Sequence, residues 1–103
     1  MTLIFGSVFE QDFAELVTLL SGESSPDVAL RFEQSTYRTL ELLLKHPELG
    51  RLRKDLAPEG IRSFRIRGFN RYLLFYLIQR ESLILLRLRF GGMNLQSLFL
   101  SWG

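Results

Sequence analysis

Arginines separated by one residue occur twice in the C-terminal half of the chain, as Arg65/Arg67 and Arg87/Arg89, with Arg62 and Arg71 close by. Both pairs are interleaved with apolar residues, in S-F-R-I-R and L-L-R-L-R-F. In an extended chain this alternation puts both members of a pair on one face. Guanidinium groups placed together bind carboxylate or phosphate, often through two hydrogen bonds at once. The candidate chemistry is therefore anion recognition: an RNA backbone, a carboxylate-rich peptide or an acidic patch on a protein. A solvated face with ion pairs to loop acids is the plainer reading of the same residues.

Other reactive side chains are few. His46 is the only histidine, so neither a His/Asp/Ser triad nor a multi-histidine metal site can be built. It follows a helical pattern, where a cation suits the helix dipole. There is no cysteine, which removes disulfides, thiolate catalysis and Cys-type zinc sites. Asp55, Glu59 and Glu81 fall in expected loops or turns, with no spacing that suggests paired acid–base work. Gly91-Gly92 lacks the strand–GxGxxG–helix setting of a nucleotide site and reads as a turn. No metal and no cofactor is expected.

Charge is unevenly placed. Residues 1–50 have a net charge of −5 and residues 51–103 a net charge of +7, giving +2 overall. A basic half of this kind suits an acidic or polyanionic partner. With 47% hydrophobic and 23% charged residues in 103, the chain is expected to fold as one domain over residues 1–103 rather than stay disordered. No apolar run approaches the length of a membrane span. Met1-Thr-Leu-Ile-Phe lacks the basic leader of a signal peptide, so a cytoplasmic location is expected.

The elements that must carry these residues can be read from periodicity. Residues 2–6 suit an edge strand. Ser7 and Glu10 have capping-box spacing for a helix whose buried face is Phe9, Phe13, Leu16, Val17 and Leu20. Gly22 to Ser25 is a break, and Pro26 suits the first turn of a second helix capped by Ser24 or Ser25. That helix buries Ala29, Phe32, Thr36, Leu40 and Leu43, widened by Tyr37 and Leu44, and stops at Pro47 near His46. Beyond a loop at 47–60 the period becomes two. Arg62, Phe64 and Ile66 share one face of a first strand, and Ser63, Arg65 and Arg67 the other. Gly68, Phe69 and Asn70 form a turn. Tyr72–Gln79 is a central strand, and Arg80-Glu81 a second turn. In Ser82–Phe90, Ile84, Leu86, Leu88 and Phe90 face one way, Arg87 and Arg89 the other. The fold class is α+β: a helical hairpin packed on a small, mostly antiparallel sheet. The arginine pairs meet only if strand register aligns them.

The tail after Gly92 is apolar, with Leu95, Leu98, Phe99 and Trp102 at helix-compatible spacing. It either folds back over the core or forms a sticky surface for a partner. Phe90, Met93, Leu98, Phe99 and Trp102 are the candidates for such a contact.

The order of elements, the P-x-L-G-R boundary at Pro47, Leu49, Gly50 and Arg51, the G-x-R at Gly60 and Arg62, Y-L-L-F-Y at Tyr72–Tyr76, and I-L-L-R-L-R-F-G-G-M-N-L together resemble the RelE/ParE superfamily of type II toxins, in its ParE branch. The likeness covers about residues 8–95. It implies a toxin that poisons DNA gyrase by binding and is held by a cognate antitoxin, through Arg62, Arg65, Arg67, Arg71, Arg87 and Arg89. A homo-oligomer or a toxin–antitoxin hetero-oligomer is compatible with it. The branch usually ends its last strand in histidine, glycine, a small residue, arginine and aspartate, whereas this chain has Phe90, Gly91, Gly92, Met93 and Asn94. The ribosome-dependent mRNA endonucleases of the superfamily place basic, aromatic or histidine groups near the C-terminus, where this chain has Met93 and Phe99. RNA cleavage on the ribosome is therefore the alternative, disfavoured by the lack of proton-transfer groups. A degenerate member without toxicity is a third reading.

Overall fold

The computed structural model describes residues 1–56, 60–91 and 95–99. In chain order they form β1 (Thr2–Phe5), α1 (Ser7–Glu23), α2 (Pro26–Lys45), a 3-10 turn (Pro47–Leu49), β2 (Arg51–Leu52), β3 (Arg62–Ile66), β4 (Phe69–Gln79), β5 (Ser82–Phe90) and a second 3-10 turn (Leu95–Phe99). The five strands make one sheet in the order β1-β5-β4-β3-β2. Only β1 runs parallel to its neighbour; the other pairings are antiparallel. The architecture is α+β, a helical hairpin on a mostly antiparallel sheet. Among the described residues no helix is long and apolar enough to cross a membrane.

The helical stripes form as their periodicity requires. Phe9 and Leu20 of α1 and Ala29, Phe32, Leu40 and Leu43 of α2 are buried against Ile66, Leu74, Tyr76, Leu83, Leu85 and Leu88 of the sheet. Phe32 stands at the centre, edge-on to both Phe69 and Tyr72 with ring centroids 5.2 Å away. Ser25 caps α2 by accepting from the Val28 N–H at 3.1 Å, and Pro26 occupies its first turn. Tyr37 is half exposed at 50% and meets Phe13 edge-on.

Four details differ from the sequence reading. The Ser7–Glu10 capping box does not form. Gly6 is the N-cap, with no side-chain bond. Its N–H is held by Leu85 O at 3.0 Å, so the end of β1 starts the helix one residue earlier. The loop at 47–60 contains β2, whose Arg51 and Leu52 pair with Ser63 and Arg62. The β3–β4 turn is Arg67-Gly68, with Gly68 at φ +83°, so Phe69 and Asn70 belong to β4. Finally, β5 does not alternate strictly. Phe75 pairs with Arg87 but Tyr76 pairs with Leu85, which leaves Leu86 as an extra residue in a β-bulge. Leu83, Leu85 and Leu88 therefore face the helices, while Leu86 packs on the other side with Ile61, Phe75 and Phe99.

Tyr76 locks the helix-to-sheet connection. Its buried hydroxyl donates to Pro47 O at 2.6 Å and accepts from the Gly50 N–H at 2.9 Å. Gly50 lies so close to the phenol that a Cβ there would overlap the ring. Burial pushes the Tyr76 hydroxyl pKa up, so it remains a donor.

Candidate functional site

The register settles where the arginines lie. Arg65 pairs with Leu73, which pairs with Arg89; Ser63 pairs with Phe75, which pairs with Arg87. Residues paired directly across strands share a face. Arg65, Arg87 and Arg89 are thus brought onto the side of the sheet away from the helices, with Arg65 and Arg89 two strands apart, about 10 Å at ordinary strand spacing. Arg71 precedes Leu73 by two residues on β4 and is exposed.

The arginines are not equivalent. Asp12 of α1 is 3% exposed. It accepts from Arg87 Nε at 2.8 Å and Nη2 at 3.2 Å, from the Leu88 N–H at 3.1 Å, and from Arg89 Nη1 at a looser 3.4 Å. Two arginines of the face therefore carry a countercharge from their own chain. Arg62 pairs with Tyr76, on the helix-facing side, and its Nη1 donates to Gly50 O at 2.8 Å and Glu48 O at 3.2 Å. It braces the segment before β2 rather than joining the arginine face. Arg65 donates to Asn70 O at 2.7 Å, and the Arg67 N–H donates to Thr39 Oγ1 at 3.1 Å.

The apolar candidates separate as well. Phe90 is 40% exposed and meets Tyr72 edge-on at 5.7 Å, which puts it on the helix side. Phe99 is 5% exposed and packs edge-on against Phe75 at 5.5 Å, with Leu98 packed alongside. The segment Leu95–Phe99 folds back over the sheet face opposite the helices, so Phe99 is a core residue as the chain stands. Met93 and Trp102 lie outside the described residues.

At the β2–β3 edge is a groove of about 450 Å³, lined by Leu49, Arg51, Arg53, Ser63, Phe64, Arg65, Arg67, Asn70 and Leu73. Arg53 forms its buried wall. It grips Asp55 with two bonds, Nε to Oδ1 at 3.0 Å and Nη2 to Oδ2 at 2.8 Å, and reaches Ser63 Oγ at 3.2 Å with Nη1. The hydrogen bond from Arg53 holds the Asp55 carboxyl down at about 2, and the same bond raises Arg53. Arg51, Arg65 and Arg67 are all exposed and form no salt bridge to a carboxylate among the described residues, although the Arg51 charge adds to that of Arg53 in holding Asp55 down. Among the described residues no three metal-ligating side chains come together.

Sequence reasoning missed Asp12, Arg51 and Arg53 as members of this region. For Asp12 a signal existed: it lies three residues after Phe9 and four before Leu16, an acid inside an apolar stripe. Arg51 and Arg53 sit in an R-L-R alternation that was too short to stand out from a loop.

The family model for the ParE toxin of the type II toxin–antitoxin system parDE matches residues 3–95. The chain belongs to the ParE toxin family. Its fold is similar to a solved structure described as the chromosomal ParDE TA system from P. aeruginosa, with a TM-score of 0.73 and 15% identity over 87% of this chain and 95% of that one. Curated proteins give no match to the sequence. Within this ParE-family chain, the residues that carried the resemblance turn out to touch one another. Pro47 and Gly50 of the P-x-L-G-R boundary are the two hydrogen-bond partners of Tyr76 from Y-L-L-F-Y.

Proposed function

We propose that this ParE-family toxin acts by binding DNA gyrase, without cutting a nucleic acid, and that a cognate antitoxin neutralises it by covering its arginine-bearing surface. The observation that carries this reading is the state of the carboxylates beside the arginines. Asp12 is buried under Arg87, Arg89 and the Leu88 N–H, and Asp55 is clamped by Arg53. A general base works best with a pKa near the operating pH. Asp55, held at about 2, is a weak base, and Asp12 has its oxygens occupied. Phe99, near the C-terminus, is buried against Phe75 and has no proton to exchange. A surface of this kind supports recognition better than chemistry.

The exposed arginines favour a second reading, ribosome-dependent mRNA cleavage, since arginines could hold a phosphate and stabilise its charge. General acid–base catalysis contributes roughly 10² to 10⁴ in rate, so a nuclease lacking it would be slow. The test uses purified protein freed of antitoxin. Inhibited supercoiling or trapped cleaved DNA, with ribosome-bound mRNA left intact, is the expected result. Codon-specific cuts lost in Arg65→Ala or Arg67→Ala would overturn it. Silence in both assays with normal folding would point to a member that has lost toxicity.

A further inference from the structure

We propose that the notch at the β2–β3 edge binds an extended acidic segment of a protein partner, with a carboxylate–apolar–carboxylate pattern laid beside β3. The proposal rests on the reading above that this region meets a protein.

The first observation is an unfinished sheet edge. β2 pairs with only Arg62 and Ser63, whereas β3 runs on to Ile66. The chain before Arg51 turns away through Gly50 and Pro47–Leu49. Arg53 N–H bonds Ile61 O at 2.7 Å, so ladder alternation turns Ile61, Ser63 and then Arg65 toward the β2 side. At Arg65 that side has no strand among the described residues. A segment continuing the line of β2 would meet the Arg65 backbone, as strand addition requires.

The second observation is the chemistry of the walls. Side chains of an added strand alternate between faces every residue. On the face away from the helices they would meet Arg65, with Arg51 and Arg67 on the same groove. Arg65 and Arg67 have no salt bridge to a carboxylate among the described residues, and Arg51 has only the longer-range attraction of Asp55. On the other face the intervening side chain would meet Phe64, half-buried, and Leu49, 49% exposed. Two carboxylates flanking one apolar residue satisfy both walls.

The same observations argue against a nucleic-acid strand. Single-stranded RNA follows a continuous cationic track with aromatic platforms. Here the track is interrupted, because Arg87 and Arg89 are paired with Asp12. A second copy of the chain is also a poor occupant. None of its described strands contains an Asp or Glu, so it offers no extended acidic strand.

The experiment measures fluorescence anisotropy of a labelled Asp-Leu-Asp-Leu-Asp-Leu peptide with the purified chain at moderate salt. An Asn-Leu counterpart and a single-stranded oligouridine are the comparison probes. The acidic peptide is expected to bind, the Asn version about tenfold or more weakly, and Arg51→Ala and Arg65→Ala each to weaken the acidic peptide by about tenfold, as the loss of a charge-assisted bond implies. Arg31→Ala on α2 is expected to change nothing, and thermal melts confirm that each variant folds. Equal binding of the Asn peptide, tighter binding of oligouridine, an unchanged affinity in Arg51→Ala, or no peptide binding at all would overturn the proposal. Supercoiling assays on the same protein separate the two readings. Peptide binding without gyrase inhibition leaves the notch intact and removes the gyrase assignment; gyrase inhibition without peptide binding removes the notch alone.

Discussion

Asp12 and Arg87 lie 75 residues apart in the chain and form a two-point pair, with Arg87 Nε 2.8 Å from Oδ2 and Nη2 3.2 Å from Oδ1. The same Oδ2 accepts the Leu88 N–H at 3.1 Å. The carboxylate thus takes the place of a strand at the edge of β5, beyond the point where β1 ends at Phe5. It joins the first helix to the strand that carries two of the face's arginines.

Removing that carboxylate should be costly. Asp12→Ala leaves Arg87 without its main partner and a buried N–H unpaired. Breaking a buried pair typically costs about 3–5 kcal/mol, and because both arginines keep some solvent contact the loss here is expected near about 3 kcal/mol. Urea unfolding measures it. Asp12→Leu combined with Arg87→Met should recover part of the loss, because the more closely held cation is removed with its partner while Arg89 keeps its contact with solvent.

Tyr76→Phe should lower stability by about 1–3 kcal/mol, since Pro47 O and the Gly50 N–H both lose a buried partner. Gly50→Ala should destabilise as well, because its Cβ would press on the phenol of a fully buried ring. Gly50→Ala should stay destabilising in the Tyr76→Phe background, because the ring carbons Cε1 and Cζ would lie 2.7 and 2.8 Å from its Cβ. A double-mutant cycle read by chemical denaturation checks this.

Asp55 carries a pH signature. Its folded pKa is about 2, below the usual carboxylate value near 3.9, so folding favours the ionised form. Its contribution is fully present above about pH 4, falls as pH drops toward 2, and is gone below that. Asp55→Asn should therefore flatten the acid limb of the stability curve between about pH 4 and 2 and leave the slope near neutrality unchanged. Thermal melts across that range are the measurement.

Phe99→Ala should open the second core. The ring is buried against Phe75, and truncating a buried phenylalanine costs about 3–5 kcal/mol, with the low end expected for a residue near the chain terminus. Calorimetry gives the loss. Increased binding of an apolar dye, which reports exposed hydrophobic surface, would show that the turn Leu95–Phe99 had lifted from the sheet.

Much of the scaffold was legible because it follows local rules. The α2 stripe, the Ser25 cap and the turn at Arg80-Glu81 depend on residues within a few positions of one another. So did the resemblance to the ParE family, whose short segments lie in order along the chain. The face assignment of β5 failed for a reason that periodicity cannot supply. The bulge at Leu86 arises from pairing with β4, and one extra residue moves Leu88 to the opposite side from Leu86.

The sequence by itself determined the types of side chain available: nine arginines in the basic half, one histidine, no cysteine, and helical and strand periods that specify an α+β chain. Only the tertiary structure decided which arginines remain open. Arg87 and Arg89 are drawn to Asp12, and Arg53 to Asp55, while Arg51, Arg65 and Arg67 are left on the groove. The physical reason is range. Periodicity is set by neighbours in the chain, but a charge takes whatever opposite charge the fold places within a few ångströms, and Asp12 reaches β5 only once the helical hairpin has packed on the sheet.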